Sequence, residues 1–365
     1  MNPRFRISLL ALLFLSVASA LADEVTPNDR VETRLRVRAA PSADAATPIV
    51  AFLAPGENAE LVDDVPYWWQ IRTSAGTEGF VSKGYSRVIP DLAPASILRL
   101  GAWNIKKLGH NNGKDYPLVA AIIEDRFDVI AVVEVMQRQG GHPGYDALLE
   151  ALGANWEGMV TATPRPDTTS GSAEFYAVLY RANRAAPCAG WTALFYHEDN
   201  DGSGSGSGVD AFSREPAYGC FVAGTFDFML APYHATWSEG DIDDISGEVA
   251  GLSAVFASMA TARPGELDRI ILGDFNLVPS DLEDAIGREI PTVGTGSTLN
   301  GSGERTQNLY DHLLVNDSDA TSEQIGSAEV IDVRSEAANN KLFFDTVSDH
   351  LPIVARFNTA GPDDD

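Results

Sequence analysis

The stretch Arg269-Ile270-Ile271-Leu272-Gly273-Asp274-Phe275-Asn276 is an apolar run that ends in an acid and an amide. A short run of this kind reads as a strand buried on both faces, so its polar groups lie where the strand emerges from the core. Similar segments lie on both sides of it. ILRLGAWNI (97–105), DVIAVVEV (128–135), AVLYRA (177–182) and PIVARF (352–357) are strand-like, whereas KDYPLVAAIIEDR (114–126) and SGEVAGLSAVFASMATA (246–262) are helix-like. Their alternation predicts an α/β domain over residues 97–358, built on two packed sheets or one large sheet. A Gly-Ser run at 202–208, flanked by Asp199, Asp201 and Asp210, interrupts it as an exposed loop.

At 365 residues, the chain has room for a second domain. Arg4 and Arg6 precede an apolar run from Ile7 to Val17 and the small residues ending Ala20-Leu21-Ala22, the pattern of a secretory signal peptide over residues 1–22. That run is shorter than the roughly 20 residues a spanning helix needs, and no later segment reads as a membrane span. The mature protein is therefore expected to be secreted, with the periplasm as the alternative. In such a compartment Cys188 and Cys220 are expected to form a disulfide. The net charge of −26 becomes −28 once residues 1–22, which hold two arginines and no acid, are removed. Such acidity argues against a broad basic grip on nucleic acid and fits solubility at high salt or cations bound at the surface.

Between Glu32 and Pro90, short alternating runs are punctuated by Gly and Pro, as in a small all-β barrel. LRVRAAPS (35–42), Tyr67-Trp68-Trp69-Gln70-Ile71 and Gly79-Phe80-Val81-Ser82 resemble bacterial SH3-like domains. The resemblance implies an SH3-like β-barrel over residues 31–90, either a module that binds a cell-wall or surface ligand or one that packs against the next domain, and alternation puts one of Trp68 and Trp69 in the core. Residues 91–96 form a linker, and 359–365 an acidic tail.

Within 97–358, a series of apolar runs ends in chemistry-bearing residues: Asn104, Glu134, His234, Asp274 with Asn276, Asp311, and Asp349 with His350. In this order they resemble the endonuclease/exonuclease/phosphatase superfamily over residues 98–357, which implies a four-layer α/β sandwich of two packed β-sheets flanked by helices. The runs SAEFYAVLYR (172–181) and DAFSREP (210–216) resemble its deoxyribonuclease I branch. Phosphodiester cleavage needs charge neutralisation at the phosphate, a base for the water proton and an acid for the leaving oxygen. The resemblance assigns Mg²⁺ or Mn²⁺ to Glu134, Asp349 and the carbonyl of Asn104, hard oxygen ligands for a hard cation. It pairs His234 with Glu174 and His350 with Asp311 as acid and base, without saying which is which. Asp274 and Asn276 would contact the phosphate, the attacking water or a second metal. Arg214 and Lys106 would hold substrate phosphate.

The same resemblance implies a structural Ca²⁺ site made by Asp201, Asp210, Glu215 and the Phe212 carbonyl. His110, His142, His197 and His312 are read as structural. The implied activity is that of a secreted, monomeric endonuclease acting on DNA, and on RNA as well. The alternatives are a sphingomyelinase-like or phosphomonoesterase enzyme of the same superfamily, or a wall-binding protein with an inert second domain. Met136 and Ser172 stand where the branch has an arginine and a tyrosine that enter the minor groove, so little sequence preference and good cleavage of single strands are expected.

Overall fold

The computed structural model describes residues 24–27, 31, 33–55, 57–89, 97–110, 113–166, 173–197, 211–237, 241–288, 292–316 and 323–360. The proposed signal peptide, the 91–96 linker, Ser172, Asp201, Asp210 and most of the acidic tail lie outside them. The chain divides into two compact units, Met1–Asp91 and Leu92–Asp365.

The first unit is a seven-stranded sheet made of β1 (Glu24–Pro27), β2 (Leu35–Arg38), β3 (Ile49–Leu53), β4 (Ala59–Val65), β5 (Trp68–Arg72), β6 (Glu78–Ser82) and β7 (Ser86–Ile89). The strand order is β3-β2-β6-β5-β4-β1-β7. Alternation sends Leu35 and Val37 of β2 into a core with Val25, Leu53, Ile71 and Val81, leaving Arg36 and Arg38 on the outside. Trp69 packs against this core, as alternation requires for one of the two tryptophans. Strand β1 begins ahead of the expected boundary at residue 31 and joins β7 to the sheet by pairing with both β4 and β7. Its four residues are too few to show a period in the sequence.

The second unit opens with β8 (Ile97–Leu108), α1 (Tyr116–Arg126), β9 (Val129–Met136), α2 (Pro143–Leu152), β10 (Trp156–Val160) and β11 (Arg165–Pro166). Next come β12 (Ala173–Arg181), β13 (Ala186–Pro187), β14 (Phe195–Tyr196), β15 (Ala217–Ala223), β16 (Phe226–His234), α3 (Ile242–Ala250) and α4 (Leu252–Ala262). The chain ends with β17 (Arg269–Asp274), α5 (Pro279–Ile286), β18 (Thr292–Val293), β19 (Asp311–Val315), β20 (Ala328–Val330), α6 (Asn340–Thr346) and β21 (Ile353–Asn358). One sheet runs β10-β12-β9-β8-β21-β20-β18, with β11 on β12. The other runs β13-β15-β16-β17-β19, with β14 on β15.

The two sheets face each other across a core of Leu98, Leu100, Val129, Val178, Phe228, Leu230, Ile270 and Leu272. The alternate residues of the first sheet, among them Trp103, Ile130 and Leu179, bury under α1, α2 and α6. Those of the second sheet, among them Met229, Ala231 and Ile271, bury under α3, α4 and α5. The result is a four-layer α/β sandwich, and it explains why the strands read as continuous apolar runs: both faces are covered. Each fully buried large side chain contributes about 1.5–3 kcal/mol.

Helices α3 and α4 meet at Gly251, and Ile242–Ala262 is long and apolar enough to cross a bilayer by length and composition, contrary to the expectation that no later segment could span one. Ile245, Val249, Leu252, Val255 and Met259 are buried beneath the second sheet instead, so the apolar face is a core face. Cys188 and Cys220 are disulfide-bonded, with Cα atoms 5.3 Å apart, and fasten β15 to the segment following β13.

Candidate active site

Strand register builds the site. In the second sheet, His234 at the end of β16 pairs with Asp274 at the end of β17, which pairs with Asp311 at the start of β19. These three residues therefore stand side by side across the sheet edge. The approach of β16 to β17 requires Gly273, whose φ is 149° and where a Cβ would collide with the Tyr233 carbonyl. In the first sheet, Asn104 on β8 is registered with Val133, beside Glu134 on β9, and Glu174 on β12 pairs with Met136.

Two hydrogen bonds then cross from one sheet to the other. His234 Nδ1 lies 2.8 Å from Glu174 Oε2, and His350 Nδ1, just ahead of β21, lies 2.8 Å from Asp311 Oδ2. The free imidazole nitrogens converge on Asp274 Oδ2, at 3.5 Å for His350 and 3.9 Å for His234. Asn104 Nδ2 donates to the same Oδ2 at 3.0 Å and to Glu134 Oε1 at 2.9 Å. Asp274 Oδ1 accepts from the Asn276 backbone at 3.0 Å. Seven expected residues, Asn104, Glu134, Glu174, His234, Asp274, Asp311 and His350, are thus linked by contacts around one carboxylate.

The electrostatics follow from burial among acids. Burial and the Arg214 guanidinium push the His234 pKa down, but Glu174 and Asp274 outweigh them and its pKa is raised. For His350, burial is outweighed by Asp311, Asp274 and Asp349, and the pKa stands well above the ordinary imidazole value. Asp274 is raised, first by burial and then by Asp311, against the lowering effect of the two histidines.

The backbone here is strained. Lys107, Glu134 and Asn276 have φ of 50°, 58° and 52°, a region that costs non-glycine residues on the order of 1–3 kcal/mol each. Glu134 is turned so that its Oε2 accepts from the Lys107 backbone at 2.7 Å.

Three expected residues are placed differently. Asp349 turns to Lys106, whose Nζ is 3.3 Å away and also lies 3.4 Å from the centre of the Phe344 ring. Arg214, expected to grip substrate phosphate, is only 3% exposed. Its guanidinium donates to the Ala235 carbonyl at 2.9 Å and to that of His234 at 3.3 Å, and lies 3.6 Å from Glu174 Oε1. Glu215, expected as a Ca²⁺ ligand, is buried with one carboxylate oxygen 3.0 Å from Arg165. The Phe212 side chain packs in the core under α3 and α4. Of the histidines read as structural, His312 is fully buried with Nε2 2.9 Å from the Leu277 carbonyl, and His197 lies 2.9 Å from Ser258.

Several residues were not legible as functional. Ser297 Oγ accepts from the Tyr310 and Asp311 backbones at 3.0 and 3.1 Å, and Ser348 Oγ donates to the Asn104 carbonyl at 2.6 Å. Lys114 Nζ donates to the Lys106 carbonyl at 3.1 Å, and burial pulls its pKa down to about 8. Glu248 on α3 accepts from the Tyr233 hydroxyl at 3.1 Å and from the Thr236 backbone, behind His234. Trp237, 50% exposed, lies 6.0 Å from the Tyr310 ring beside the strand ends that carry His234 and Asp311. Any polar residue outside a strand-end pattern looks like solvated surface in a sequence, so only Trp237, three residues past His234, offered a signal.

The donor set fits a divalent cation. Single ligand atoms of Asp274, Asp311 and His350 lie within 4.8 Å of one another, and Asp311 Oδ1 is buried without a hydrogen-bond partner. Carboxylates concentrated this way, with one lone pair unanswered, suit a hard ion.

Residues 33–87 match the bacterial SH3 domain, and residues 101–350 match the endonuclease/exonuclease/phosphatase family. A protein named Deoxyribonuclease, from Thioalkalivibrio sp. (strain K90mix), is 34% identical over 283 residues, 74% of this chain and 73% of its own. Among solved structures, a family protein from Bacteroides thetaiotaomicron aligns with a TM-score of 0.52 at 18% identity, over 71% of this chain and 94% of its own. A mannosyl-6-phosphatase from the same species aligns at 0.50 and 18%, over 71% and 98%. These two likenesses concern the fold alone. The sandwich, the strand-end residues around Asp274 and the 34% relative agree, and the chain belongs to the endonuclease/exonuclease/phosphatase family of phosphoester hydrolases.

Proposed function

We propose that this protein is an exported, divalent-metal-dependent endonuclease that hydrolyses DNA, and RNA as well, with little sequence preference. The observation that carries the reading is the convergence of two histidine–carboxylate pairs on Asp274 Oδ2 from opposite sheets. A phosphate between the imidazoles meets one base and one acid. One histidine takes the proton of the attacking water as its oxygen bonds to phosphorus, and the other gives a proton to the departing oxygen as the ester bond breaks. Glu174 and Asp311 fix the tautomers and stabilise the imidazolium forms.

Asp274, Asp311 and Glu134, with Asn104 alongside, would hold a divalent ion, which would supply charge neutralisation at the phosphate oxygens. Arg214 positions rather than grips: it braces Glu174 and the His234–Ala235 backbone. The Trp237–Tyr310 ring pair offers a stacking face to a splayed base, worth about 1–3 kcal/mol per base. Buried Met136 offers no charge to the minor groove, in keeping with low sequence preference. The Thioalkalivibrio relative's name supports the nuclease reading, and the disulfide with the N-terminal signal pattern supports export.

The test is cleavage of supercoiled plasmid and of matched single and double strands with Mg²⁺, Mn²⁺ or chelator. Nicking that chelation abolishes and Mg²⁺ restores is expected. Full activity in excess EDTA would sink the metal reading, and hydrolysis of sugar phosphates with no polynucleotide cleavage would sink the nuclease reading.

A further inference from the structure

The first unit holds a cavity of about 450 Å³ lined by Arg34, Arg36, Arg38, Trp68, Ser82 and Tyr85, among other residues. Its charge is out of keeping with the rest of the chain. Residues 31–90 carry six Lys and Arg against seven Asp and Glu, whereas residues 97–365 carry 17 against 41. Three of the six lie together at β2, Arg34 just ahead of the strand and Arg36 and Arg38 on it, where alternation buries Leu35 and Val37 and turns Arg36 and Arg38 outward. The Arg34 guanidinium stacks on Phe52 at 4.1 Å, and Arg38 donates to the Asp44 carbonyl at 3.0 Å, which preorganises both forks. Arg72, by contrast, is spent on Glu60 and Glu78 at 2.6 and 2.8 Å. Among the described residues, no carboxylate pairs with Arg34 or Arg36. Tyr85 is 52% exposed, and Trp68 lines the same cavity.

We infer that this cavity is a binding site for single-stranded nucleic acid, with Arg34 and Arg36 on phosphates and Trp68 and Tyr85 stacked on bases. Guanidinium forks match phosphate oxygens two at a time, and aromatic faces accept any base, so the combination recognises a polynucleotide without reading its sequence. The site would supply what the second unit lacks, since an excess of 24 acids gives that unit little attraction for a polyanion. The inference takes its purpose from the nuclease reading, but the binding it asserts is measurable without turnover.

The full chain carrying His350→Ala, which removes cleavage, is titrated against a fluorescent oligothymidylate of about 20 nucleotides, in salt from about 50 to 200 mM. Arg34→Ala/Arg36→Ala is expected to weaken binding at least tenfold and to flatten the slope of log K against log salt by about 1.4, for two lost phosphate contacts. Trp68→Ala should weaken binding without changing the slope. Arg34→Lys/Arg36→Lys, which keeps the positive charges but loses the planar forks, should keep the slope while losing part of the affinity. With His350 restored, Arg34→Ala/Arg36→Ala should raise KM for long single strands and leave hydrolysis of bis(p-nitrophenyl) phosphate unchanged. Unchanged oligonucleotide affinity and slope in the arginine variants would overturn the inference. So would loss of retention on purified peptidoglycan in those variants while oligonucleotide binding persists, which would mark a cell-wall site. If the intact chain cuts no polynucleotide yet binds oligothymidylate through Arg34 and Arg36, the nuclease reading fails and the binding site stands.

Discussion

The Glu174–His234 and Asp311–His350 pairs have the same hydrogen-bond length, 2.8 Å, and share Asp274 as a neighbour, but different surroundings hold them. The first is backed by ions: Arg214 lies 3.6 Å from Glu174, and Glu248 sits behind His234 on the Tyr233 hydroxyl and the Thr236 backbone. The second is backed by neutral hydroxyls, Ser297 on the Asp311 backbone and Ser348 on the His350 backbone. The consequence appears in the pKa shifts. A cation beside the first pair opposes the rise of His234, whereas His350, surrounded by Asp311, Asp274 and Asp349, rises much further. One geometry is thus reached with high electrostatic stakes on one side and low stakes on the other. A buried charge network fails badly when a member is lost, and a neutral hydrogen bond fails mildly.

The largest effect tests the likeness of the two pairs. His234→Ala and His350→Ala are each expected to lower turnover by about 10²–10⁴-fold with the fold intact. Because the two act on one phosphate, the double variant should lose less than the product of the single losses. Steady-state rates on plasmid, with circular dichroism as the fold control, decide it. A folded single variant with near wild-type turnover would remove that pair from the chemistry.

The next effect tests their difference. Arg214→Met leaves Glu174 and Glu248 buried without their cation, and breaking such a network costs about 3–5 kcal/mol. Denaturant midpoints at neutral pH should therefore fall sharply, and turnover with them as Glu174 loses its brace. A loss below about 1 kcal/mol, the scale of a single neutral hydrogen bond, would erase the contrast between the two sides.

How much of this was legible in the sequence follows the same division. His234 and Asp274 end an apolar run, Asp311 opens one, and Asn104 and Glu134 follow the apolar stretches of β8 and β9, and a strand covered on both faces leaves few positions for a polar side chain except where it emerges. Their convergence was expected from their places at strand ends and from the family resemblance, and the strand order supplies its geometric reason. The supports were hidden for physical reasons. Arg214 carries a charge that sequence logic sends to solvent, yet it is 3% exposed because two carboxylates and two carbonyls receive it. Glu248 lies in a helix among Asp243, Asp244 and apolar residues and looks like a solvated face, but its helix turns it inward beside Tyr233. Ser297 and Ser348 act through backbone groups, which no residue pattern reports. Of the calcium set that the resemblance implies, Asp201 and Asp210 lie outside the described residues, and Glu215 lies 3.0 Å from the distant Arg165, a neighbour that no sequence pattern reports.

A smaller effect sharpens the ionic side. Burial raises the Glu248 carboxyl from its ordinary 4.5 to about 7, against the lowering effects of Arg214, Thr236, Tyr233 and Ser213. Between those values the folded protein keeps a proton that the unfolded chain has lost. Stability therefore falls as pH rises from about 4.5 to 7 and levels off above. The whole step is about 3 kcal/mol on the scale of 1.36 kcal/mol per unit. Glu248→Gln cannot titrate, so its stability curve should be flatter than wild type across that window. Parallel curves from pH 5 to 8 would show that Glu248 is ionised in the folded protein throughout.

The smallest effect belongs to the neutral side. Ser297 is fully buried, and its Oγ accepts from two backbone amides, those of Tyr310 and Asp311, at 3.0 and 3.1 Å. Ser297→Ala removes that acceptor without burying a charge, and the cavity left by one oxygen is small. The expected cost is about 1–2 kcal/mol of stability, within the range for buried donors left unmatched. Because Asp311 starts β19 at this point and holds His350 Nδ1, a slight shift of its backbone should reach the imidazole. Turnover is expected to fall about three- to tenfold, the scale of about 0.7–1.4 kcal/mol in the barrier, with KM unchanged since no substrate contact is lost. Denaturation midpoints and steady-state kinetics, run side by side with Arg214→Met, give the comparison its sharpest form. A Ser297→Ala loss as large as that of Arg214→Met would mean that hydroxyl support carries the same stakes as the buried ions, and that the division between the two pairs lies elsewhere.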